Sequence, residues 1–377
     1  MLKGVYLTIL VGPVVPVPIP KVALDALQSV QVNVSAKPKE QSGFRLEFTL
    51  SNHSPLHTIF LLGGMSLIPF IRVIIVATIN GIPNVLMDGV ITKQDVAPGA
   101  TAADSKLTIS GVDLTAMMAL MPFDGLPYPA MPVEARVALI LAKYIFLGFI
   151  PMVVPTILTD VPFPTETIPR QQGNDYDYVQ QLADAVGYIF YITPGPAPGV
   201  NTAYFGPEVK VGVPQSALNI NMDAQTNVES LSFAFNSDSA TMPILFIQPE
   251  VSPIPIPVPL PDISILQPPL GVIPPLPKTF IFLDDTANLS YAEAVMQGLS
   301  IAGRSADAVT ANGSLDVVRY GAPLSARQLV GVRGAGLAFD GLYYVTSVTH
   351  DIKRGEYKQS FTLSRNALVS ITPTVPA

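Results

Sequence analysis

The chain has no cysteine, only three histidines and few charges, and each scarcity removes a class of function. Without cysteine there is neither a disulfide nor a thiolate metal site. His53 and His57 cannot form the i,i+4 pair of a zinc helix, because Pro55 lies between them and no Glu follows the first; His350 stands far off in the sequence. Charged residues make up 13% of 377, about half the usual share, whereas 49% are hydrophobic and 38 are proline. A surface so short of charge fits a membrane protein or a subunit whose faces are buried in a permanent assembly, and the assembly is favoured. The net charge of −7 leaves no basic footprint for a nucleic-acid binder. Residues 1–10 lack a basic flank leading into an uninterrupted apolar core, so Sec export is not expected.

The clearest stretch is residues 172–192. Asn174 can cap a helix, Asp175 and Asp177 place negative charge at its positive end, and Tyr178, Val179, Leu182 and Val186 recur on one face. Gly187 suits the left-handed residue that ends such a helix, and Tyr188 to Ile192 then reads as a short buried strand closed by Thr193-Pro194-Gly195-Pro196. Strand-rich sequence flanks this unit on both sides. Val30, Val32 and Val34 alternate with polar residues, Phe44 to Leu50 repeats the pattern, and Asn80-Gly81 sits between two apolar runs as a hairpin turn. A helical turn holding Met117 and Met118 follows the strand Lys106 to Ser110. Leu218 to Met222, Leu231 to Phe235 and Ile244 to Ile247 read as strands, Ser290 to Leu299 as a helix, and Leu342 to His350 with Glu356 to Ser364 as a hairpin that buries Tyr344.

These elements predict a mainly β chain with an α+β middle: two similar antiparallel β-barrel domains joined by a small α/β domain. The expected boundaries are residues 1–122, 123–202 and 203–377, the last carrying a proline-rich insertion at 251–278. Two apolar tracts, 58–79 and 137–158, approach bilayer length. Gly63-Gly64, Pro69 and Arg72 interrupt the first; Lys143, Pro151 and Pro155 interrupt the second. A charge at bilayer depth costs several kcal/mol, so no stable membrane span is expected, and a buried helix from Val133 to Leu147 is the plainer reading of the second tract.

No catalytic, cofactor-binding or metal set emerges. Gly331, Gly334 and Gly336 have the wrong spacing for a dinucleotide fingerprint. The acid pairs Asp284-Asp285 and Asp175 with Asp177 suit turn and helix-start positions better than glycoside hydrolysis. Tyr188, Phe190, Tyr343 and Tyr344 lie on alternating strands and read as core rather than a stacking platform. The insertion is the oddest segment. Pro253, Pro255, Pro257, Pro259 and Pro261 alternate with apolar residues, so every second amide donor is missing and the chain can run only as polyproline II or as a one-sided edge. Residues 16–20 are a shorter version in the first half, which favours a duplicated ancestor. Pro253, Ile254, Pro255, Ile256, Pro257, Val258, Pro259 and Leu260 are the candidate interface: an apolar arm packed on a neighbour.

Three stretches carry a family resemblance: Leu107 to Thr115; Asp175-Tyr176-Asp177-Tyr178 through Gly187 to Tyr191; and Gly341 to His350 with Gly355 and Phe361. Together they resemble the hub proteins of contractile injection systems: phage late-control D proteins, tail baseplate hubs and the hub part of VgrG spikes. The chain departs from that pattern at residues 251–277 and shows no spike segment after the second barrel, so the spike is expected to be a separate polypeptide. The resemblance implies a structural, non-enzymatic homotrimer that adapts a threefold spike to a sixfold inner tube, with the spike, the tube protein and other baseplate subunits as partners; the apolar arm is then expected to pack on another hub subunit, the spike or a membrane surface, in that order. It implies assembly in the cytoplasm and then a place in a phage tail-like particle. The alternatives are a membrane-associated assembly protein and a hub associated with a cell-wall hydrolase.

Overall fold

A computed structural model describes residues 4–13, 15–50, 54, 56, 59–60, 70–99, 105–156, 165, 168–238, 241–247, 256–259, 268–282, 295, 298–299, 301–302 and 307–372. His53, His57, Pro253, Ile254, Pro255, Leu260, Asp284 and Asp285 lie outside these residues, as do most of the expected helix at 290–299 and residues 61–69 of the first apolar tract.

The first strands are β1 (Val5–Gly12), β2 (Val17–Pro18), β3 (Leu27–Ser35), β4 (Gly43–Thr49), β5 (Arg72–Ile79), β6 (Ile82–Ala97) and β7 (Lys106–Asp113). The β5–β6 hairpin turns on Asn80 and Gly81, both at positive φ, 51° and 84°, as a tight two-residue turn between right-twisted strands requires. The middle segment holds helix α1 (Thr115–Met118), helix α2 (Val133–Ala142), β8 (Phe149–Val153), helix α3 (Asp175–Ala185), β9 (Ile189–Pro194) and β10 (Asn201–Gly206). Then come β11 (Gln215–Asn219), β12 (Val228–Phe235), β13 (Thr241–Ile247), β14 (Ile256–Pro259), β15 (Gly271–Ile273), β16 (Thr279–Phe282), β17 (Val309–Asp316), β18 (Leu329–Arg333), β19 (Gly341–Lys353), β20 (Glu356–Arg365) and β21 (Leu368–Ser370).

The chain is mainly β, with antiparallel sheets and an α+β middle. Thirteen strands share one sheet, and the path β12-β17-β20-β19 continues through a β19–β3 ladder into β3-β4-β7-β6-β5-β1-β2, with β11 on β18. The two strand-rich halves are thus joined by hydrogen bonds between Ser29–Ser35 and Ser347–Lys353. Closing either half into a barrel would need β1 to pair with β3, or β11 with β12. Neither ladder is present among the described strands, and one bond, Asn227 N–H to the Asn219 carbonyl, is the backbone link recorded between the ends of β11 and β12.

The halves repeat one another in detail. With each half's six main strands numbered in chain order, β1, β3, β4, β5, β6, β7 and β11, β12, β17, β18, β19, β20 lie in the same sheet order, 2-3-6-5-4-1. Two register shifts recur at the same places, whereas those in the β5–β6 and β11–β18 ladders have no counterpart. Gln28 is the extra residue between Leu27 and Ser29, and Glu229 between Val228 and Ser230. Thr92 is the extra residue between Ile91 and Lys93, and Thr346 between Val345 and Ser347. The two threonines even make the same bond, donating to the Ser110 and Thr362 carbonyls at 3.4 and 3.0 Å. A register shift costs ladder bonds and is a feature a sheet keeps for its bend, so four matched residues mark a repeat where side-chain identity does not. The first strand differs: β1 is antiparallel to β5, β11 parallel to β18.

One hydrophobic core runs through both halves, from Val30, Val32, Phe44 and Leu46 to Val309, Ala311, Tyr357 and Phe361. The middle segment has its own, in which α2 contributes Val137, Ile140 and Leu141, and α3 contributes Tyr178, Val179 and Leu182. Asn174 caps α3, its side chain accepting from the Asp177 N–H at 2.8 Å, and Gly187 follows at φ 69°. Several boundaries differ from expectation, and three strands run three or four residues longer: Lys106–Asp113, Val228–Phe235 and Gly341–Lys353. The helix expected to run to Leu147 stops at Ala142, where Lys143 turns its amine onto buried Asp175, and a 3-10 turn Ile145–Leu147 ends at left-handed Gly148. The strand expected at Leu218 to Met222 lies at Gln215–Asn219.

Candidate functional site: polar locks inside, open sheet edges outside

The buried polar residues are structural locks between segments. Arg72 on β5 and Asp88 on β6 pair twice, at 2.7 and 2.6 Å, with both side chains almost wholly buried. Arg72 also donates to the Leu147 carbonyl at 2.8 Å, and Asn201 on β10 donates to Asp88 at 2.9 Å. The pair therefore pins the middle segment to the first half, and the pairing offsets the cost of taking two charges out of water. Asp175, fully buried, accepts from Lys143 at 2.8 Å, from Tyr144 at 2.7 Å and from Gln171 at 2.7 Å. Burial together with that bond to Asp175 holds the Tyr144 hydroxyl protonated, far above the usual phenol range. Asp113 accepts from the Ser42 and Thr115 N–H groups; burial pushes its carboxyl up, and those bonds pull it back. Arg327, whose guanidinium lies 4.1 Å over the Tyr191 ring, donates to the Ser35 carbonyl and so joins all three segments.

Each of these groups is taken up in holding segments together. Among the described residues no group of three His, Cys, Asp or Glu could hold a metal ion. Asp175 and Asp177 do not face one another: the first is locked inside, and the second closes the Asn174 cap. His350 is buried against Tyr357 and Gln359, at 2.8 and 3.2 Å. Tyr188, Phe190, Tyr343 and Tyr344 are buried, as are Tyr178, Leu182 and Val186. Gly331 lies in β18, and Gly334 and Gly336 follow it at positive φ in a turn. Among the described residues no helix is long and apolar enough to cross a membrane. Arg72, which interrupts the first apolar tract, is the lock residue of a strand.

The outside of the molecule is more telling. The described strands of both proline-rich segments sit at sheet edges, where a missing amide donor costs least. Val17–Pro18 is the last strand of the large sheet. Ile256–Pro259 is the edge of a three-stranded sheet, β14-β13-β16, with Pro259 opposite Ile244 and Pro257 opposite Phe246. Of the candidate interface residues described, Pro257 and Pro259 are exposed, Val258 is half-buried, and the Ile256 backbone belongs to the ladder. Phe280 and Phe282 on β16 are exposed too, and Phe282 stacks on Phe246 at 5.6 Å. A second apolar patch, Ile145, Phe146, Ile150 and Met152, lies on the 3-10 turn and the edge strand β8. Sequence reasoning misses this patch: Ile145 and Phe146 fall within the helix expected to be buried up to Leu147, and Ile150 and Met152 only within the apolar tract 137–158.

No protein-family model matches the chain, and no curated protein matches its sequence. Its fold has solved counterparts. A tail protein of Neisseria meningitidis MC58 superposes with a TM-score of 0.61 at 13% identity, over 97% of this chain and 98% of that one. A component of the Escherichia coli type VI secretion system, itself described as similar to the T4 bacteriophage tail proteins gp27 and gp5, gives a TM-score of 0.53 at 12% identity over 93% and 76%. A chain of the Francisella PdpA–VgrG complex gives 0.60 at 9% identity, covering all of this chain and 55% of the other. From end to end, the chain has the fold of phage tail and type VI secretion proteins.

Proposed function

We propose that the protein is a baseplate hub of a phage tail or contractile injection particle: a homotrimer that adapts a threefold spike to a sixfold inner tube. Its partners on this reading are the spike, the tube protein and neighbouring baseplate subunits. It is assembled in the cytoplasm and then carried in the particle, and it transmits force and seals the channel without a reaction of its own. One observation carries the reading: the fold is shared with a tail protein along nearly the whole of both chains. The internal repeat adds support, since three copies of two quasi-equivalent halves supply the six positions a sixfold tube needs. Native mass measurement tests the copy number: three chains of 40.1 kDa give about 120 kDa. Labelling of purified particles tests the place. Signal at the spike-bearing end is expected, and signal along the shaft or in the membrane fraction would remove the hub.

A further inference from the structure

The segment that leaves β10 is laid inside out. Val209, Val211 and Val213 are exposed, whereas Lys210 is 6% exposed and the Glu208 side chain turns in beside it. Among the described residues Lys210 is the one buried lysine. Taking an ammonium group out of water costs several kcal/mol, so a segment that hides its lysine and leaves three valines wet is shaped by what that lysine meets.

It meets Asp307, on the stretch that returns to β17. Lys210 Nζ donates to Asp307 Oδ1 and Oδ2 at 3.1 and 2.9 Å and lies 3.9 Å from Glu208 Oε2. The Ser364 hydroxyl on β20 donates to Asp307 Oδ2 at 2.7 Å, and the Tyr344 ring centre lies 5.5 Å from the amine. The ion pairs that lock the other segments differ. Arg72 holds Asp88 with a guanidinium, which is a poor nucleophile, and the Lys143 side chain on Asp175 is 33% exposed. The Lys210 site combines a buried primary amine, a carboxyl group in contact with it, a second carboxyl group within reach and a hydroxyl donor on the first.

We propose that Lys210 and Asp307 condense into an isopeptide bond, a covalent brace that the folded chain makes in itself. Glu208 takes one proton from the Lys210 ammonium and delivers it to Asp307 Oδ1. The neutral amine attacks Asp307 Cγ, and negative charge builds on Oδ2, where the Ser364 hydroxyl already donates. Glu208 carries a second proton from the nitrogen to Oδ1, the Cγ–Oδ1 bond breaks, and one water leaves. The ammonium and carboxylate charges cancel, Glu208 ends as it began, and no oxidant or co-reactant is consumed. Free ions in water favour the reverse direction, but groups held together by a fold reach effective concentrations of about 10⁵–10⁸ M. The step occurs once per chain and is no turnover. The bond ties the end of the middle segment to the neck of the excursion between β12 and β17, where the Asn236 N–H donates to the Ala308 carbonyl at 2.8 Å. A pull on the β14-β13-β16 sheet is then carried to β10 instead of parting β12 from β17, and a chain without cysteine has no disulfide for that task.

Denaturing mass spectrometry of the full-length chain tests the bond, on fresh protein and after prolonged incubation of the folded protein. The expected mass is lower than that of the sequence by one water, and trypsin should release a branched peptide that carries both Lys210 and Asp307, uncut after Lys210. Lys210→Arg, which keeps the positive charge but not the amine, should have its full sequence mass. Glu208→Gln should fold and stay unlinked. A wild-type chain at full sequence mass at both times would overturn the proposal and leave an ordinary ion pair. A missing water without the branched peptide, or one still missing in Lys210→Arg, would place the dehydration elsewhere and overturn it as well. Full linkage in Glu208→Gln would keep the bond and remove Glu208 as its proton carrier.

Discussion

The two six-strand halves keep the same strand order and share two register shifts, yet fill the space between strands with different chemistry. In the first half Phe44, on the third strand, lies against Gly111 on the sixth; in the second half Phe361, on the sixth strand, lies against Gly313 on the third. Ring and glycine lie on exchanged strands, and the two pairs sit two residues apart along the ladder: Ala311 and Leu363 stand at the positions of Phe44 and Gly111. At one pair of equivalent positions the first half buries Arg72 with Asp88, and the second has Leu329 and Leu342. At another, Asp113 stands where the second half has Arg365, which donates to the Asp340 and Ala338 carbonyls. Backbone bonds fix where strands lie, and many side-chain sets fill the space so defined. The ion pair occurs only where the middle segment docks and offers the Leu147 carbonyl and Asn201 as further partners.

The largest effect is therefore expected at that pair. Asp88→Leu alone strands a buried guanidinium and should cost about 3–5 kcal/mol by urea unfolding. Arg72→Leu/Asp88→Leu, which copies the second half, should cost clearly less than the two single changes added together. Additive losses would show that the pair acts only through separate contacts with the middle segment. That segment has no counterpart in either half, and its packing is tested on α3. Leu182→Ala should cost about 2–5 kcal/mol, while Gln181→Ala, on the exposed face, should stay within about 0.5. Equal losses would mean the helix faces the other way.

Much of this was legible in the sequence wherever the signal is local. The Asn174 cap, the Asn80-Gly81 turn and the alternation in β3 each depend on a few adjacent residues. The β3–β19 ladder was not legible, because it joins residues more than 300 apart and either strand could satisfy its alternation with another partner. Nor was the strength of the repeat. Val96 and His350, or Asp113 and Arg365, share position but no chemistry, and a register shift leaves no residue signature. Arg72 read as a break in an apolar run; only the strand opposite shows that Asp88 awaits it.

The β3–β19 ladder, the seam between the halves, also makes the fold sensitive to acid. His350 faces Val32 across the seam and Tyr357 and Gln359 on β20; Asp351 is its acidic neighbour in sequence, and Lys353 pairs with Asp351 at 3.1 Å. Burial lowers the His350 pKa from 6.5 to about 4. Between these values the unfolded chain binds a proton that the folded chain does not. Stability is therefore complete above about pH 6.5, falls as pH drops towards 4, and levels off below, a loss of about 3 kcal/mol. His350→Val, which copies Val96, should flatten that part of the pH profile in urea unfolding. An unchanged slope would assign the acid sensitivity to the carboxylates.

The smallest effect concerns the exchanged Phe–Gly pair. A Cβ on Gly111 would stand 2.4 Å from the Phe44 ring and 2.3 Å from the Val90 carbonyl; on Gly313 it would stand 2.6 Å from the Phe361 ring and 2.6 Å from the Ser230 carbonyl. Each alanine must therefore move a ring and a neighbouring strand, an overpacking cost of about 1–3 kcal/mol. Gly111→Ala is expected to be the worse of the two, because both its contacts are closer and its carbonyl neighbour belongs to β6, the strand held by the Arg72–Asp88 pair. The Ser230 carbonyl belongs to β12, which among the described residues pairs with β17 alone. Thermal unfolding of the two variants measures the difference, and Gly313→Ala should keep the higher midpoint. Equal or reversed losses would mean that β12 is held as firmly as β6, and the contrast between the two halves would lose its energetic meaning.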